Sequence, residues 1–220
     1  MERLIEMYRK KLRFTSTAFI RSTVYEINRD ARLIGIRGAR GVGKTTLLLQ
    51  HIKRNFQQDE RTLYVSLDNI YFSDNRLYDF ADRFVKRGGT RLYLDEVHKY
   101  PHWSQELKNI YDDMPELQII FTGSSLLEIL NSRADLSRRA IVYEMQGLSF
   151  REYLNYNLRT SLPVLSLSDL LERHTQTAEE LTASLKVLEH FPRYLRHGYY
   201  PYYNELPDLY PQRVEEVVNM

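Results

Sequence analysis

The sequence predicts an α/β fold: a five-stranded, mostly parallel sheet flanked by helices, followed by a small helical lid. Five short apolar runs alternate with stretches whose apolar residues recur at helical period. Parallel strands need crossover connections and are buried on both faces, so this alternation favours a parallel sheet. After about Ser149 the strand pattern stops and only helical patterns follow.

An amphipathic helix is predicted at the N-terminus, and strands and helices then alternate. We place a domain boundary near Gly147, which gives a core of residues 1–147 and a helical region of residues 148–220. The predicted strands are Ala31–Arg37, Arg61–Leu67, Thr90–Glu96, Leu117–Gly123 and Arg139–Met145, and the helices between them are Lys44–Phe56, Leu77–Lys86, Trp103–Tyr111 and Leu126–Leu130.

Two capping-box patterns predict helix starts after the boundary. Ser149 is followed three residues later by Glu152, and Thr177 by Glu180. The stretch Leu162–Asp169 between them is predicted to be a connector.

Composition excludes several classes of protein. The chain is 43% hydrophobic and 27% charged, as is ordinary for a globular protein. No apolar run approaches the roughly 20 residues that a membrane helix needs, and the N-terminus lacks the apolar core of a secretory signal. Zero cysteines exclude disulfides and thiolate metal sites, and a net charge of +2 gives no global basic field. We therefore expect a cytoplasmic protein without a membrane span.

A glycine-rich segment follows the first predicted strand and leads directly into a helix. Residues 38–45, GARGVGKT, satisfy G-x-x-x-x-G-K-[ST] at every constrained position. Such a loop points backbone amides at phosphates, and the helix N-terminus adds partial positive charge. We expect Lys44 to reach the β- and γ-phosphates and Thr45 to hold Mg²⁺; the alternative is a simple turn. The predicted phosphate-binding residues are Gly38, Ala39, Arg40, Gly41, Val42, Gly43, Lys44, Thr45 and Thr46.

An acidic pair lies at the end of the third predicted strand, in RLYLDEVH. Ligands of open α/β sheets bind at the carboxyl ends of strands. We expect Asp95 to hold Mg²⁺ through its water shell and Glu96 to polarise the attacking water. The alternative is that the pair only caps the following segment.

Polar residues also end the fourth strand and precede the fifth. A hydroxyl of Thr122 or Ser124 is placed to sense the γ-phosphate or orient water; the alternative for Ser124 is a helix N-cap. Arg138 and Arg139 are candidates to reach a neighbouring chain's γ-phosphate, the alternative being solvated arginines.

With these residues together, the sequence resembles the AAA+ superfamily. In particular, it resembles a prokaryotic group of predicted ATPases in which such a domain precedes a C-terminal domain of unknown function. The resemblance covers about residues 33–154 and is carried by GIRGARGVGKTTLL, YLDEVHKYPHWSQELKNIYD, IIFTGSSLLEI and DLSRRAIVYEMQGLSFREYL.

This resemblance implies a five-stranded P-loop NTPase core that binds ATP and Mg²⁺. It implies that Lys44, Thr45, Asp95 and Glu96 are Walker-type residues. It also implies that Thr122 or Ser124 is the first sensor and that Arg138 or Arg139 is an arginine finger, which would act within a homo-oligomer.

The end of the chain departs from the family pattern. It stops at RVEEVVNM, where members of the group continue into a second domain, so we expect a shortened form whose DNA or protein partner binds the missing region. Arg193 and Arg196 are weak candidates for a second sensor. The aromatic run Tyr199–Tyr203 could stack on bases, form core, or contact an absent domain.

Three further residues have ordinary explanations. His98 and His102 lack a third ligand at suitable spacing, so surface or supporting roles are favoured over a metal site. Trp103 is expected to pack in the core.

Two functional hypotheses follow. The first is Mg²⁺-dependent ATP hydrolysis that depends on assembly. The second is a slow-turnover ATP switch that recruits a protein or DNA partner. GTP is disfavoured because the sequence has no Asn-Lys-x-Asp element.

Overall fold

In a computed structural model of the protein, residues 1–28, 30–123, 136, 138–205 and 207–218 are described. The chain divides into two compact units, Met1–Gln146 and Gly147–Met220.

The first unit is built on a five-stranded sheet in which every pair of neighbouring strands is parallel. The strand order is β2-β3-β4-β1-β5. The predicted α/β fold is therefore confirmed, with a wholly parallel sheet among the described strands. The strands are β1 (Leu33–Arg37), β2 (Thr62–Ser66), β3 (Arg91–Asp95), β4 (Gln118–Gly123) and β5 (Ile141–Glu144).

The strand order brings the functional segments to one edge of the sheet. β4 lies between β1 and β3, with Arg37 opposite Gly123 and Leu94 opposite Phe121. Because all the strands run the same way, the carboxyl ends of β1, β3 and β4 lie at the same edge. The strand ends at Arg37, Asp95 and Gly123 are thus neighbours in space although far apart in sequence.

Helices cover the sheet, and the side chains of β1 to β4 are mostly buried, whereas Ile141 and Val142 of β5 are exposed. The predicted N-terminal amphipathic helix is present, and it buries Leu4, Tyr8 and Leu12 along one face. Trp103 packs in the core with its ring centroid 5.8 Å from that of Phe121. The helices are α1 (Glu2–Phe14), α2 (Thr23–Glu26), α3 (Lys44–Asn55), α4 (Tyr71–Asp74), α5 (Leu77–Val85) and α6 (Trp103–Asp113), with a 3₁₀ turn at Val97–Lys99. The predicted helix Leu126–Leu130 lies outside the described residues.

The second unit is helical. It contains α7 (Phe150–Leu158), α8 (Leu167–Ser184), α9 (Val187–His197) and α10 (Tyr210–Val218), with 3₁₀ turns at Pro201–Asn204 and Pro207–Leu209. Across the described part of the chain, none of the helices combines the length and the apolarity that a bilayer crossing requires.

One of the two predicted capping boxes is confirmed. Ser149 caps α7: its hydroxyl oxygen accepts the Glu152 N–H at 3.2 Å, and its own N–H donates to the Glu152 carboxylate at 3.1 Å. The predicted helix start at Thr177 is wrong, because α8 begins ten residues earlier at Leu167.

A capping box at Ser166 accounts for the early start of α8. The Ser166 hydroxyl accepts the Asp169 N–H, and the Asp169 carboxylate accepts the Ser166 N–H. The Asp side chain closes the same reciprocal pair that Glu closes elsewhere. The predicted connector Leu162–Asp169 is therefore wrong in its last three residues, and α8 contains a kink at Arg173, where φ is −133°.

The aromatic run of the second unit contributes to its core. Tyr200 and Tyr203 are buried, and the Tyr203 ring lies 5.7 Å from the Tyr153 ring. Tyr199 is 41% exposed. Of the three expectations for this run, the structure supports core packing for Tyr200 and Tyr203.

We predict that Ser149→Ala will lower the free energy of unfolding by about 1 kcal/mol, because the first turn of α7 loses a capping hydrogen bond. Ser161→Ala is the matched control, since Ser161 is exposed between α7 and α8. Urea denaturation followed by circular dichroism measures the difference. Equal stability of the two variants would contradict the capping role.

Candidate nucleotide-binding site

The loop between β1 and α3 has a backbone that requires its glycines. Gly41 and Gly43 have φ angles of 86° and 100°, which residues with a side chain rarely adopt. A Cβ atom on Gly38 would lie 2.1 Å from the carbonyl oxygen of Met145, which directly follows β5. The loop therefore fits closely against β5 and turns directly into the N-terminus of α3, where four amides lack intrahelical partners.

Lys44 begins α3 and is folded into this loop. It is only 5% exposed, and its Nζ donates to the carbonyl oxygens of Gly38 at 2.7 Å and Ala39 at 2.9 Å. Burial lowers the pKa of Lys44, while the charges of Glu96 and Asp95 act in the opposite direction. The loop thus holds a desolvated positive charge beside a helix N-terminus, an arrangement that suits an anion.

Asp95 ends β3 and is the most densely bonded side chain of the site. It is 2% exposed. Its Oδ2 accepts hydrogen bonds from the Thr45 hydroxyl at 2.6 Å and the Tyr64 hydroxyl at 2.8 Å, and its Oδ1 accepts one from the Thr122 hydroxyl. The three donors lie on α3, β2 and β4, so the carboxylate joins three elements of the fold.

Thr122 connects Asp95 to Glu96. Its hydroxyl donates to the Asp95 carboxylate and accepts the backbone N–H of Glu96 at 3.1 Å. The single hydroxyl proton is used on Asp95, so Thr122 links the carboxylate of Asp95 to the backbone of Glu96. Its role as a sensor of the γ-phosphate stays a prediction. The other candidate, Ser124, lies outside the described residues.

Glu96 adopts an unusual backbone conformation. Its φ and ψ angles are 56° and 41°, the left-handed region. A residue with a side chain pays about 1 to 3 kcal/mol for such a conformation, and these residues cluster at functional sites. The Glu96 carboxylate lies beside His98, with its Oε2 3.4 Å from the His98 Nε2.

The two histidines differ in exposure. The His98 side chain is mostly buried beside Glu96, and His102 is exposed at the start of α6. Within the part of the chain that the structure describes, no group of three or more His, Asp or Glu side chains is arranged to hold a metal ion by itself.

Thr45 and Asp95 nevertheless fit Mg²⁺ as part of a nucleotide complex. Both present oxygen atoms, the donors that Mg²⁺ requires, and these atoms are 2.6 Å apart. In its protein sites Mg²⁺ usually keeps several waters and uses one or two carboxylates together with phosphate oxygens. The donor set matches this pattern.

The candidate arginines lie away from the phosphate loop. Arg138 and Arg139 precede β5, at the opposite edge of the sheet from the segments that follow β1 and β3. Arg139 makes a two-pronged pair with Asp112, in which its Nε and Nη2 each lie 2.9 Å from a carboxylate oxygen. Arg138 is exposed. The structure therefore does not bring either arginine to the site of its own chain.

Arg193 and Arg196, the candidates for a second sensor, lie on α9 of the second unit, and both are exposed.

Two residues of the site were not anticipated from the sequence. Tyr64 donates to Asp95 from the neighbouring strand, and Arg21 donates to the carbonyl oxygens of Val42 at 2.9 Å and Gln146 at 2.7 Å. The only signal for Tyr64 is its place on the strand beside β3, which requires the strand order. Arg21 precedes the glycine-rich loop in an irregular segment that carries no motif.

We predict that Thr122→Val will lower the free energy of unfolding by about 1 to 3 kcal/mol, because the buried Asp95 carboxylate loses a donor and the partly buried Glu96 amide loses its acceptor. The same change should accelerate hydrogen exchange at the Glu96 amide. Thr122→Ser keeps the hydroxyl and should keep this amide protected. Hydrogen exchange followed by NMR checks the pair; a Glu96 amide as protected in Thr122→Val as in the wild type would contradict the geometry.

Three comparisons place the chain among known proteins. Over 190 residues it is 34% identical to MJ1637, an uncharacterized protein of Methanocaldococcus jannaschii, an alignment that covers 81% of this chain and 40% of the relative. The chain thus spans less than half the length of this relative.

Two solved structures align with much of this chain. AMPPCP-bound DnaA from Aquifex aeolicus is 19% identical, with a TM-score of 0.44 over 79% of this chain and 63% of DnaA. The Hsp104:casein complex of S. cerevisiae is 17% identical, with a TM-score of 0.46 over 82% of this chain and 37% of the matched one. Likenesses of this strength add nothing on function.

The family model described as AAA domain (AAA_14) matches residues 30–154. This match covers more than half of the chain and includes the glycine-rich loop, the acidic pair and the end of β4. The chain belongs to the AAA domain family.

Proposed function

We propose that the protein binds ATP with Mg²⁺ and hydrolyses it to ADP and phosphate. The observation that carries the proposal is the 2.6 Å hydrogen bond between Thr45 and Asp95. It joins the start of the phosphate-loop helix to the acidic end of β3, so both halves of a nucleotide site meet at one point. The family membership supports the same function.

The loop and α3 would bind the phosphates. The loop amides and the N-terminus of α3 present hydrogen-bond donors and partial positive charge to phosphate oxygens. Lys44 would exchange its bonds to the Gly38 and Ala39 carbonyls for the more strongly charged β- and γ-phosphates. Thr45 and Asp95 would hold Mg²⁺, which neutralises charge between the β- and γ-phosphates when bound.

Glu96 would act on the attacking water. The water oxygen attacks the γ-phosphorus, its proton passes to the Glu96 carboxylate, and the bond to the ADP oxygen breaks. A positioned general base of this kind contributes about 10²- to 10⁴-fold to the rate. The left-handed backbone conformation of Glu96 and the hydrogen bond from its amide to Thr122 fix the backbone position from which this side chain projects.

We predict that Lys44→Ala will weaken ATP binding severely, because it removes the buried charge that faces the phosphates. Glu96→Gln should bind ATP as the wild type does and lose turnover, by about 10²-fold or more. Lys86→Ala is the matched control, since Lys86 is exposed and pairs with Asp82. Equilibrium binding of a fluorescent ATP analogue and phosphate release measure the two effects.

Two results would refute the proposed ATP hydrolysis. Wild-type protein that binds no nucleotide, or turnover that is the same in Lys44→Ala, Glu96→Gln and Lys86→Ala, would show that the site does not hydrolyse ATP. ATP and GTP affinities compared in the same assay test the preference for ATP.

A neighbouring chain is proposed to complete the site in a homo-oligomer. Arg138 is exposed at the sheet edge away from its own loop, whereas Arg139 is held by Asp112. Arg138 is therefore the better candidate to reach a neighbour's γ-phosphate. An arginine supplied in this way is worth about 10³ to 10⁵ in rate in GTPases.

We predict that mixing two inactive variants will restore turnover. Arg138→Ala retains its own phosphate site, and Lys44→Ala retains its Arg138, so adjacent subunits of a mixed oligomer would form one complete site. Phosphate release is measured for each variant and for the mixture, with Arg139→Ala mixed with Lys44→Ala for comparison. Full activity of Arg138→Ala alone, or a mixture as inactive as its components, would contradict the trans-acting arginine.

The second candidate function is a slow ATP-dependent switch that recruits a protein or DNA partner. The pairing of Glu96 with His98 at 3.4 Å favours it, because a carboxylate held by a neighbour is less available to water. Single-turnover hydrolysis distinguishes the two: a switch retains bound ATP over minutes, whereas an active ATPase converts it.

A further inference from the structure

Two groups in the N-terminal segment, residues 1–28, extend to the nucleotide site. This segment precedes residues 30–154, which the AAA domain model covers. One contact runs through Arg21 to the phosphate loop, and the other runs through α1 and Tyr64 to Asp95.

Arg21 fixes the phosphate loop from the side. It is only 7% exposed, and its two terminal nitrogens donate to the carbonyl oxygens of Val42 and Gln146. Val42 lies within the loop, and Gln146 directly follows Met145, whose carbonyl oxygen faces Gly38. The rigid guanidinium fork therefore links the loop to the chain that leaves β5, on which the loop already rests.

Tyr64 fixes the acidic half of the site. Its hydroxyl donates to Asp95 Oδ2, the same oxygen that accepts the Thr45 hydroxyl. Because two donors converge on one oxygen, the carboxylate is held in a single orientation.

α1 supports Tyr64 from the other side. Lys11 Nζ donates to the Tyr64 hydroxyl at 3.3 Å and lies 5.0 Å above the ring, and the Tyr8 ring stacks on Tyr64 with centroids 6.5 Å apart. A hydroxyl that accepts from an ammonium group is a better donor to a carboxylate, because successive hydrogen bonds polarise one another.

We propose that residues 1–28 are a positioning element of the nucleotide site: Arg21 sets the phosphate loop, and α1, acting through Tyr64, sets the carboxylate that would hold Mg²⁺. This inference rests on the proposed function. Arg21 and Tyr64 are positioning residues, since each acts through another group of the chain.

We expect the loss of each contact to affect nucleotide binding differently with and without Mg²⁺. Tyr64 acts on Asp95, so its hydroxyl should matter only when Mg²⁺ accompanies the nucleotide. Arg21 acts on the loop that binds phosphates, so its loss should weaken nucleotide binding with or without Mg²⁺. If these residues mattered only for folding, the folded variants would show neither a selective loss of the Mg²⁺ effect nor a selective loss of nucleotide affinity.

The test measures the affinity of a fluorescent ATP analogue for the full chain in excess EDTA and across a Mg²⁺ titration, with thermal midpoints recorded alongside. Tyr64→Phe should need about tenfold more Mg²⁺ to reach half of the metal-dependent gain in affinity, and should match the wild type in EDTA. Lys11→Met should shift the titration in the same direction by a smaller factor. Tyr25→Phe, which removes an exposed hydroxyl bonded to Arg54, is the control.

Arg21→Gln should weaken binding about tenfold in both conditions, and Arg21→Lys, which keeps the charge but not the fork, should lie between it and the wild type. Arg13→Gln, an exposed change in α1, is the control. If Arg21→Gln does not fold, Arg21→Lys carries this arm of the test.

Three outcomes are decisive. Wild-type protein that binds no nucleotide overturns the proposed function. Wild-type binding with Tyr64→Phe indistinguishable from Tyr25→Phe, or with Tyr64→Phe equally weakened in EDTA, overturns the inference about Asp95. Wild-type binding with the folded Arg21 variants indistinguishable from Arg13→Gln overturns the inference about the loop.

Discussion

The carboxylate of Asp95 is the constraint on which the rest of the site depends. It is buried, and hydroxyls from α3, β2 and β4 all donate to it. A buried charge is tolerated only where its hydrogen-bonding capacity is met, so the three elements must keep their relative positions for the fold to be stable. The same requirement keeps the oxygens of Thr45 and Asp95 together. One cluster therefore contributes to stability and also holds together the two oxygens that we propose as Mg²⁺ ligands.

The sheet topology explains why these donors can meet. β3 lies between β2 and β4, so the end of β3 is flanked by one hydroxyl from each neighbouring strand, Tyr64 and Thr122. The loop after β1 leaves from the same edge and delivers Thr45 on α3. Backbone strain is concentrated next to this cluster, in the left-handed turn at Glu96. A residue held in a strained conformation beside a rigid, buried pair is the arrangement expected of a group that must act at a fixed position.

Much of this was predictable from the sequence, because local patterns carry it. The alternation of apolar runs predicted the sheet, and the spacing from Gly38 to Thr45 predicted the loop, since glycines are the residues that can adopt its backbone. Hydrogen bonds between distant segments were not predictable. Tyr64 became relevant only with the strand order, and Arg21 belongs to no motif. The start of α8 was missed because an Asp, and not a Glu, closes the box at Ser166.

Calorimetric titration of ATP into the wild type and Asp95→Asn, each with Mg²⁺ and with EDTA, tests the central claim most directly. If Asp95 is the shared anchor of fold and metal, the wild type binds one ATP per chain more tightly with Mg²⁺ than without, and folded Asp95→Asn loses this metal-dependent gain while still binding ATP in EDTA. An equal gain from Mg²⁺ in both proteins, or no ATP binding by the wild type, would contradict it.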